Sequence, residues 1–366
     1  MDKEEIDTPA LVIDLDLLEK NIAKMARYFE GRPANVRPHI KTHKTPIIAH
    51  KQIEAGAEGI TCAKVGEAEV MVAAGIRSIL IANEIVGRQK IERLINLTRH
   101  SEMIVAVDDP GNVEELSNIA QENDAELNVL VDVNLSQFGR LEGILDRCGV
   151  LPGKPALSLA KKVRGSKGLR LRGLMGYEGG MGRFIEFEKR KEACHRALKS
   201  LIETRGMLED AGIDVEIVSS GGTSTYRITG DYPGVTEVQA GAYATMDTQE
   251  GGMEGVDFDY ALTLLTTVIS RPYPEKALLD CGLKSITRDM GWPGFKDLEG
   301  VELIALNEEH GHLRLKNPSR ELRVGDKIEL IPSHGCTTIN QHDKFYAVRR
   351  GKVEAVWEIM GRGRFQ

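Results

Sequence analysis

Short apolar runs alternate with amphipathic stretches from about residue 34 to residue 247. Eight of the runs have the length and β-branched content of buried parallel strands: NVRPHIK, GITCAKV, SILIANE, EMIVAVD, LNVLVDV, LRLRGLMGY, DVEIVSS and TEVQAGAYATM, starting near residues 35, 59, 78, 102, 127, 169, 214 and 236. Between them the apolar positions recur at helical spacing. Thr45 can cap a helix in TPIIAHKQIEAG, with Pro46 in its first turn and Gly56 at its end, and Asp109 and Pro110 open another. Eight strands alternating with helices predict an α/β chain with a closed (β/α)8 TIM barrel. An open doubly wound sheet has the same alternation, but no GxGxxG turn follows the first strand.

After about residue 250 the pattern changes to strand-like runs joined by short polar turns: ALTLLTTVIS, KALLDCG, VELIAL, LRL, KIELIPS, FYAV and VEAVW. The expected division is a barrel over residues 1–250 and a β domain over 251–366, with residues 1–18, through ALVIDLD, able to add a strand to the second unit.

Composition narrows the class. Hydrophobic residues make up 41% and charged residues 28% of the 366 residues, and no apolar run is long enough to cross a bilayer. The acidic start MDKEEID lacks the basic and apolar regions of a secretory signal, and five scattered cysteines do not suggest a disulfide framework, so a reducing, cytoplasmic compartment is expected. A net charge of -7 argues against a nucleic-acid partner; the basic stretch Lys161, Lys162, Arg164, Lys167 reads as the solvated end of a helix.

In such a barrel, chemistry belongs at the carboxyl ends of the strands. The first strand delivers RPHIKTHK there, and alternation puts His39, Lys41 and His43 on one face. Lys41 is either a loop cation or a Schiff-base lysine. The seventh strand ends in VSSGGTSTY, where Gly221 and Gly222 let backbone N–H groups approach an anion and Ser220, Thr223 and Ser224 offer hydroxyls. An amine and a phosphate cradle are the two attachments that pyridoxal 5'-phosphate requires. In the β domain, PSHGCTT sets His334 and Cys336 two residues apart on a strand or its end, a pair suited to zinc but also readable as a buried thiol beside an ordinary histidine.

RPHIKTHK, AKVGEAEVM, RCGV, GGTSTY, EVQAGAYATMD and PSHGCTT, in that order, resemble the D-threonine aldolase and D-serine dehydratase family, across nearly the whole chain. The resemblance implies an alanine-racemase-type barrel with a carboxyl-terminal β domain. It implies pyridoxal phosphate on Lys41, with Arg147 near its phenolic oxygen and Tyr177 against its ring. Ser220, Gly221, Gly222, Thr223, Gly241 and Tyr243 would line the cofactor, and Gln239 would stand at its pyridine nitrogen. It also implies a divalent metal, zinc or manganese, on His334 and Cys336, and a homodimer.

The expected reaction is metal-assisted retro-aldol cleavage of a D-β-hydroxy amino acid of the D-threonine type to glycine and an aldehyde. The alternative is dehydration of D-serine or D-3-hydroxyaspartate to a keto acid and ammonia; a noncatalytic pyridoxal-phosphate carrier and a cofactor-free Schiff-base aldolase are further rivals. Two departures stand out. Gly180 occupies the place after YEG where relatives carry a histidine, and NLSQFGRLEGILDRCGV is longer than the compact turn usual before RCGV. His310 and His312 are further imidazoles, read as exposed turn residues.

Overall fold

The computed structural model describes residues 1–136 and 147–366; the inserted stretch expected ahead of RCGV falls in 137–146, outside the described residues. Strand β1 (Ala10–Asp14) is followed by helix α1 (Leu15–Phe29). Eight parallel strands come next: β2 (Asn35–Val36), β3 (Ile60–Cys62), β4 (Ser78–Glu84), β5 (Glu102–Val107), β6 (Leu127–Asp132), β7 (Leu169–Met175), β8 (Ile217–Ser220) and β9 (Glu237–Val238). Their hydrogen-bonded order is β2-β9-β8-β7-β6-β5-β4-β3. The circle closes through a parallel bridge between His39 and Thr61, with Thr61 N–H donating to Pro38 O at 2.8 Å and Ile40 N–H to Thr61 O at 2.8 Å.

Alternation along these strands sorts the core. Leu80, Ile104, Leu130, Met175 and Ile217 pack together within the barrel. Their neighbours Ile79, Ile81, Val105 and Val129 join the large cluster that includes the surrounding helices. Each such buried aliphatic contributes about 1.5–3 kcal/mol. Helices α2 (Pro46–Glu54), α3 (Val65–Ala73), α4 (Arg88–Leu97), α5 (Pro110–Glu122), α6 (Lys154–Gly165) and α7 (Phe187–Asp210) fall in the gaps where helical spacing placed them. Asp109 caps α5, accepting from Gly111 N at 2.7 Å and Asn112 N at 2.9 Å. Thr45 stands at the cap position of α2, yet its hydroxyl donates to His43 O at 2.7 Å instead of capping. Short helices α8 (Tyr226–Gly230) and α9 (Thr248–Gly251) complete the barrel part.

The second sheet is mostly antiparallel and is built from β10 (Leu262–Tyr273), β11 (Lys276–Leu279), β12 (Gly294–Phe295), β13 (Val301–Leu306), β14 (Gly311–Leu315), β15 (Lys327–Ile331), β16 (Lys344–Arg349) and β17 (Lys352–Glu358). Strand β1 lies within it, antiparallel to β10 and parallel to β16. Helix α10 (Gly335–Ile339) follows β15. Among the described residues no helix is long and apolar enough to cross a membrane.

Candidate active site

A cavity of about 560 Å³ opens at the carboxyl ends of the barrel strands, and it is also lined by His334 and Cys336 from the second unit. A more open depression at the other end is walled by ion pairs such as Arg37–Glu237 and Arg172–Glu216, the stabilising end of a barrel.

Strand β2 is short; His39 N–H still donates to Ala240 O at 3.1 Å, but the chain turns directly after His39. The strict alternation expected of His39, Lys41 and His43 therefore does not hold. Lys41 is exposed to the cavity, whereas His43 points into the protein, with Nε2 3.2 Å from Gln52 Oε1 and Nδ1 accepting Thr45 N–H at 3.1 Å. Burial pushes the His43 imidazole down to about 4. Burial, reinforced by the charges of Lys41 and Lys44, also holds His39 well below its ordinary value. His39 accepts the Lys41 N–H on Nδ1 at 3.3 Å.

The loop after β8 is shaped by a residue that sequence reasoning passed over. Glu178, 1% exposed, accepts from Ser220 Oγ at 2.8 Å and Gly221 N at 3.0 Å on Oε2. Its Oε1 accepts from Thr225 Oγ1 and Thr229 Oγ1, both at 2.6 Å. Gly221 has φ +81°, a conformation that favours glycine. A Cβ at Gly241 would sit 2.3 Å from His39 O, so only glycine lets the two strand ends meet.

With Glu178 holding one side of the loop, the other side is open. The N–H groups of Thr223, Ser224, Gly241 and Ala242 make no hydrogen bond among the described residues, and all four residues line the cavity. Unbonded N–H groups clustered in this way have the character of an anion nest. Two expected contacts do not reach it: Ser220 is buried with its hydroxyl between Gly176 O and Glu178, and Tyr243 is buried with its phenol accepting from Gln52 Nε2 at 3.0 Å. Neither lines the cavity, since buried partners claim their polar atoms.

Arg147 and Tyr177 are brought together, with the guanidinium carbon 4.8 Å from the ring centroid. Gln239 lines the cavity and donates from Nε2 to Ser219 Oγ at 2.8 Å. Just past the end of β15, His334 stands at the N-cap position of α10 without a side-chain cap bond, and Asp247 Oδ2 accepts Gly335 N–H at 2.9 Å. His334 Nδ1 lies 2.6 Å from Asp289 Oδ2. Burial alone would lower its pKa, but hydrogen bonds and charge from Cys336 and Asp289 raise it to about 9. Burial would likewise raise the Cys336 thiol, yet His334 and the charge of Lys41 bring it below its usual value. Cys336 Sγ also contacts Thr42 Oγ1 at 3.3 Å. His310 and His312 stay in an exposed hairpin away from the cavity, His312 beside Asn307.

Glu250 was also missed. It lines the cavity with Oε2 buried and unbonded, and burial, with the charge of Asp247, raises its carboxyl to about 7. Its place just past the last barrel strand was the available signal.

Residues 13–249 match the family model "Alanine racemase, N-terminal domain", and residues 261–348 match "Putative serine dehydratase domain". Barrel, second sheet and site together define an alanine-racemase-like enzyme of the lyase class. A D-threonine aldolase from Arthrobacter sp. is 37% identical over 98% of this chain and 93% of its own length. The crystal structure of D-threonine aldolase from Filomicrobium marinum superposes with TM-score 0.95 at 38% identity, covering 99% of this chain and 97% of that one. D-threo-3-hydroxyaspartate dehydratase from Delftia sp. HT23 superposes with TM-score 0.87 at 28% identity, covering 98% of each chain, and a cysteine-to-alanine variant of that dehydratase is described as metal-free. The chain belongs to the D-threonine aldolase and D-serine dehydratase family.

Proposed function

We propose that the protein cleaves the Cα–Cβ bond of D-β-hydroxy amino acids of the D-threonine type, giving glycine and an aldehyde, with pyridoxal 5'-phosphate on Lys41 and a divalent metal on His334 and Cys336. The donor sets fit both groups. Four unbonded backbone N–H groups suit a phosphate dianion, and Lys41 has no ion pair among the described residues. Imidazole beside a thiol of lowered pKa suits zinc, with manganese the alternative that the family resemblance implies, and two protein ligands leave positions open for a substrate hydroxyl. Bound there, the cofactor supplies an electron sink for charge developing at the substrate α carbon, and the metal a Lewis acid for the β-hydroxyl.

The chain's own groups do the rest. Arg147 and Tyr177 form one wall, Asp289 orients His334, and Glu250 can hold or release a proton near neutral pH. The observation that carries this reading is the convergence of Lys41, the anion nest and the His334–Cys336 pair on one cavity.

Borohydride reduction followed by peptide mapping is expected to label Lys41, and incubation with D-threonine and manganese to release glycine and acetaldehyde. Keto acid without glycine would sink the aldolase reading. That outcome is the second reading, dehydration, favoured by the serine-dehydratase match over residues 261–348. D-Serine and D-3-hydroxyaspartate, assayed for ammonia, distinguish the two.

A further inference from the structure

Helix α7 buries a charge on a face that is otherwise apolar. Arg190 is fully buried there, followed at helical spacing by the buried residues Ala193, Cys194 and Ala197, whose small side chains leave room for a guanidinium. Its place near the start of the helix is electrostatically unfavourable, because the unpaired N–H groups of a helix amino terminus repel a cation. The arginine therefore stands against both desolvation and the helix dipole.

Among the described residues its guanidinium donates to backbone carbonyls alone. Nε donates to Ser224 O at 3.0 Å, Nη1 to Ile185 O at 2.9 Å and to Phe184 O, and Nη2 to Glu254 O. These carbonyls belong to three segments of the cavity wall, next in the chain to the lining residues Arg183 and Met253 and at the lining residue Ser224 itself. No carboxylate makes an ion pair with Arg190 among the described residues. Glu254 is exposed and accepts Phe187 N–H at 2.9 Å, burial raises the Glu250 carboxyl to about 7, and burial pushes the Cys194 thiol up, so none of the three supplies a full counter-charge.

Ser224 is also one of the four residues whose unbonded N–H groups line the cavity. The guanidinium thus holds the loop after β8 from behind, while the N–H groups lie on its open side. Carbonyl dipoles solvate a buried guanidinium but leave its net charge uncancelled. A dianion seated on the loop cancels that charge with only backbone between them, in a setting where water screens little.

We propose that Arg190 is a positioning residue for the cofactor phosphate and its buried counter-charge, fixing the Ser224 end of the nest and favouring the dianion. The inference rests on the reading that pyridoxal 5'-phosphate occupies this cavity. A purely mechanical tie between the three wall segments is indifferent to the charge of what binds. A counter-charge instead favours the phosphorylated aldehyde over pyridoxal, and the phosphate dianion over the monoanion.

The test titrates the full chain with pyridoxal 5'-phosphate and with pyridoxal, and follows the bound phosphate by phosphorus NMR. A free phosphate monoester takes up its second proton near pH 6, whereas the wild-type resonance is expected to stay at its dianion position as pH falls through about 6. Arg190→Gln is expected to titrate there and to lose about tenfold or more in affinity for pyridoxal 5'-phosphate, with pyridoxal changed by less than about threefold. Arg190→Lys keeps the charge with fewer hydrogen bonds, and is expected to keep most of the preference for the phosphorylated form. Arg190→Met serves as a second neutral variant if circular dichroism shows Arg190→Gln unfolded. A wild-type resonance that titrates like the free monoester, or equal losses for both aldehydes in the neutral variant, overturns this inference alone. A wild type that binds no pyridoxal 5'-phosphate overturns the cofactor reading and this inference together.

Discussion

Replacing Glu178 tests whether a buried carboxylate shapes the anion nest. In Glu178→Ala, Ser220 keeps a partner in Gly176 O at 2.6 Å, but Gly221 N–H, Thr225 O–H and Thr229 O–H lose theirs. A buried donor left unsatisfied costs about 1–3 kcal/mol. The Gly221 N–H cannot rotate away, whereas the two hydroxyls can turn in search of other acceptors. Thr225 is constrained, because its oxygen also accepts Gly222 N–H at 3.0 Å, so losing its anchor loosens the next residue of the loop. The combined loss, with the void left by the side chain, comes to about 3–5 kcal/mol, a large share of a total stability of about 5–15 kcal/mol.

Glu178→Gln separates charge from hydrogen bonding. Its amide oxygen can still accept from Ser220 and Gly221, and its NH2 can donate to the two threonine hydroxyls once they reorient, so the cost falls to about 1–2 kcal/mol. Urea unfolding of the cofactor-free chain measures both values, and absorbance titration with pyridoxal phosphate measures the nest. The alanine variant is expected to lose tenfold or more in affinity (about 1.4 kcal/mol), while the glutamine variant stays within a few-fold. An alanine variant with wild-type stability, or one indistinguishable from glutamine, refutes this role for Glu178.

At the opposite end of the barrel, Arg37→Met strips the partner 2.8 Å from Glu237, whose Oε1 is already unbonded; a loss of about 3–5 kcal/mol in urea melts is expected, largely recovered when Glu237→Leu is added. Glu250 has a folded pKa of about 7 against an ordinary 4.5, so the folded chain binds the extra proton between those values. Its stabilising contribution is full below about pH 4.5 and is lost as pH rises through 7, a decline of about 3 kcal/mol in the cofactor-free chain that Glu250→Gln should flatten. Gly241→Ala forces a Cβ to within 2.3 Å of His39 O, and should cost about 1–3 kcal/mol and weaken cofactor binding, both readable in the same titrations.

The barrel was legible because its signal is local and repeated. Strand β5 reads as an apolar run, and all of it but Glu102 is buried. Lys41 and the paired glycines were legible as residues at strand ends, and they line the cavity. Side-chain direction was not. Ser220 and Tyr243 carry the right groups in the right motifs, yet Glu178 and Gln52 claim them, from 42 and 191 residues away. Glu178 itself follows a strand in an unremarkable GYEGG, and its meaning exists only once Thr225 and Thr229 come within reach. Glu84, Asp108 and Cys148, whose ligand atoms lie within 4.8 Å of one another, share no spacing, so no linear pattern could assemble them.

The distribution of charge explains how a chain of net charge -7 can accommodate the proposed anion site. Surface carboxylates lie in water and are screened over about 10 Å, so they set solubility more than the field inside a cavity. Within the cavity Lys41, Arg147 and Arg183 have no ion-pair partner among the described residues, while Glu84 and Asp132 share its lining. The nest adds backbone dipoles that no side-chain substitution removes. Exchanging the hydroxyls of Thr223 or Ser224 should therefore matter less to the proposed phosphate than disturbing Gly221 or Gly241, since glycine conformation and close approach aim the N–H groups.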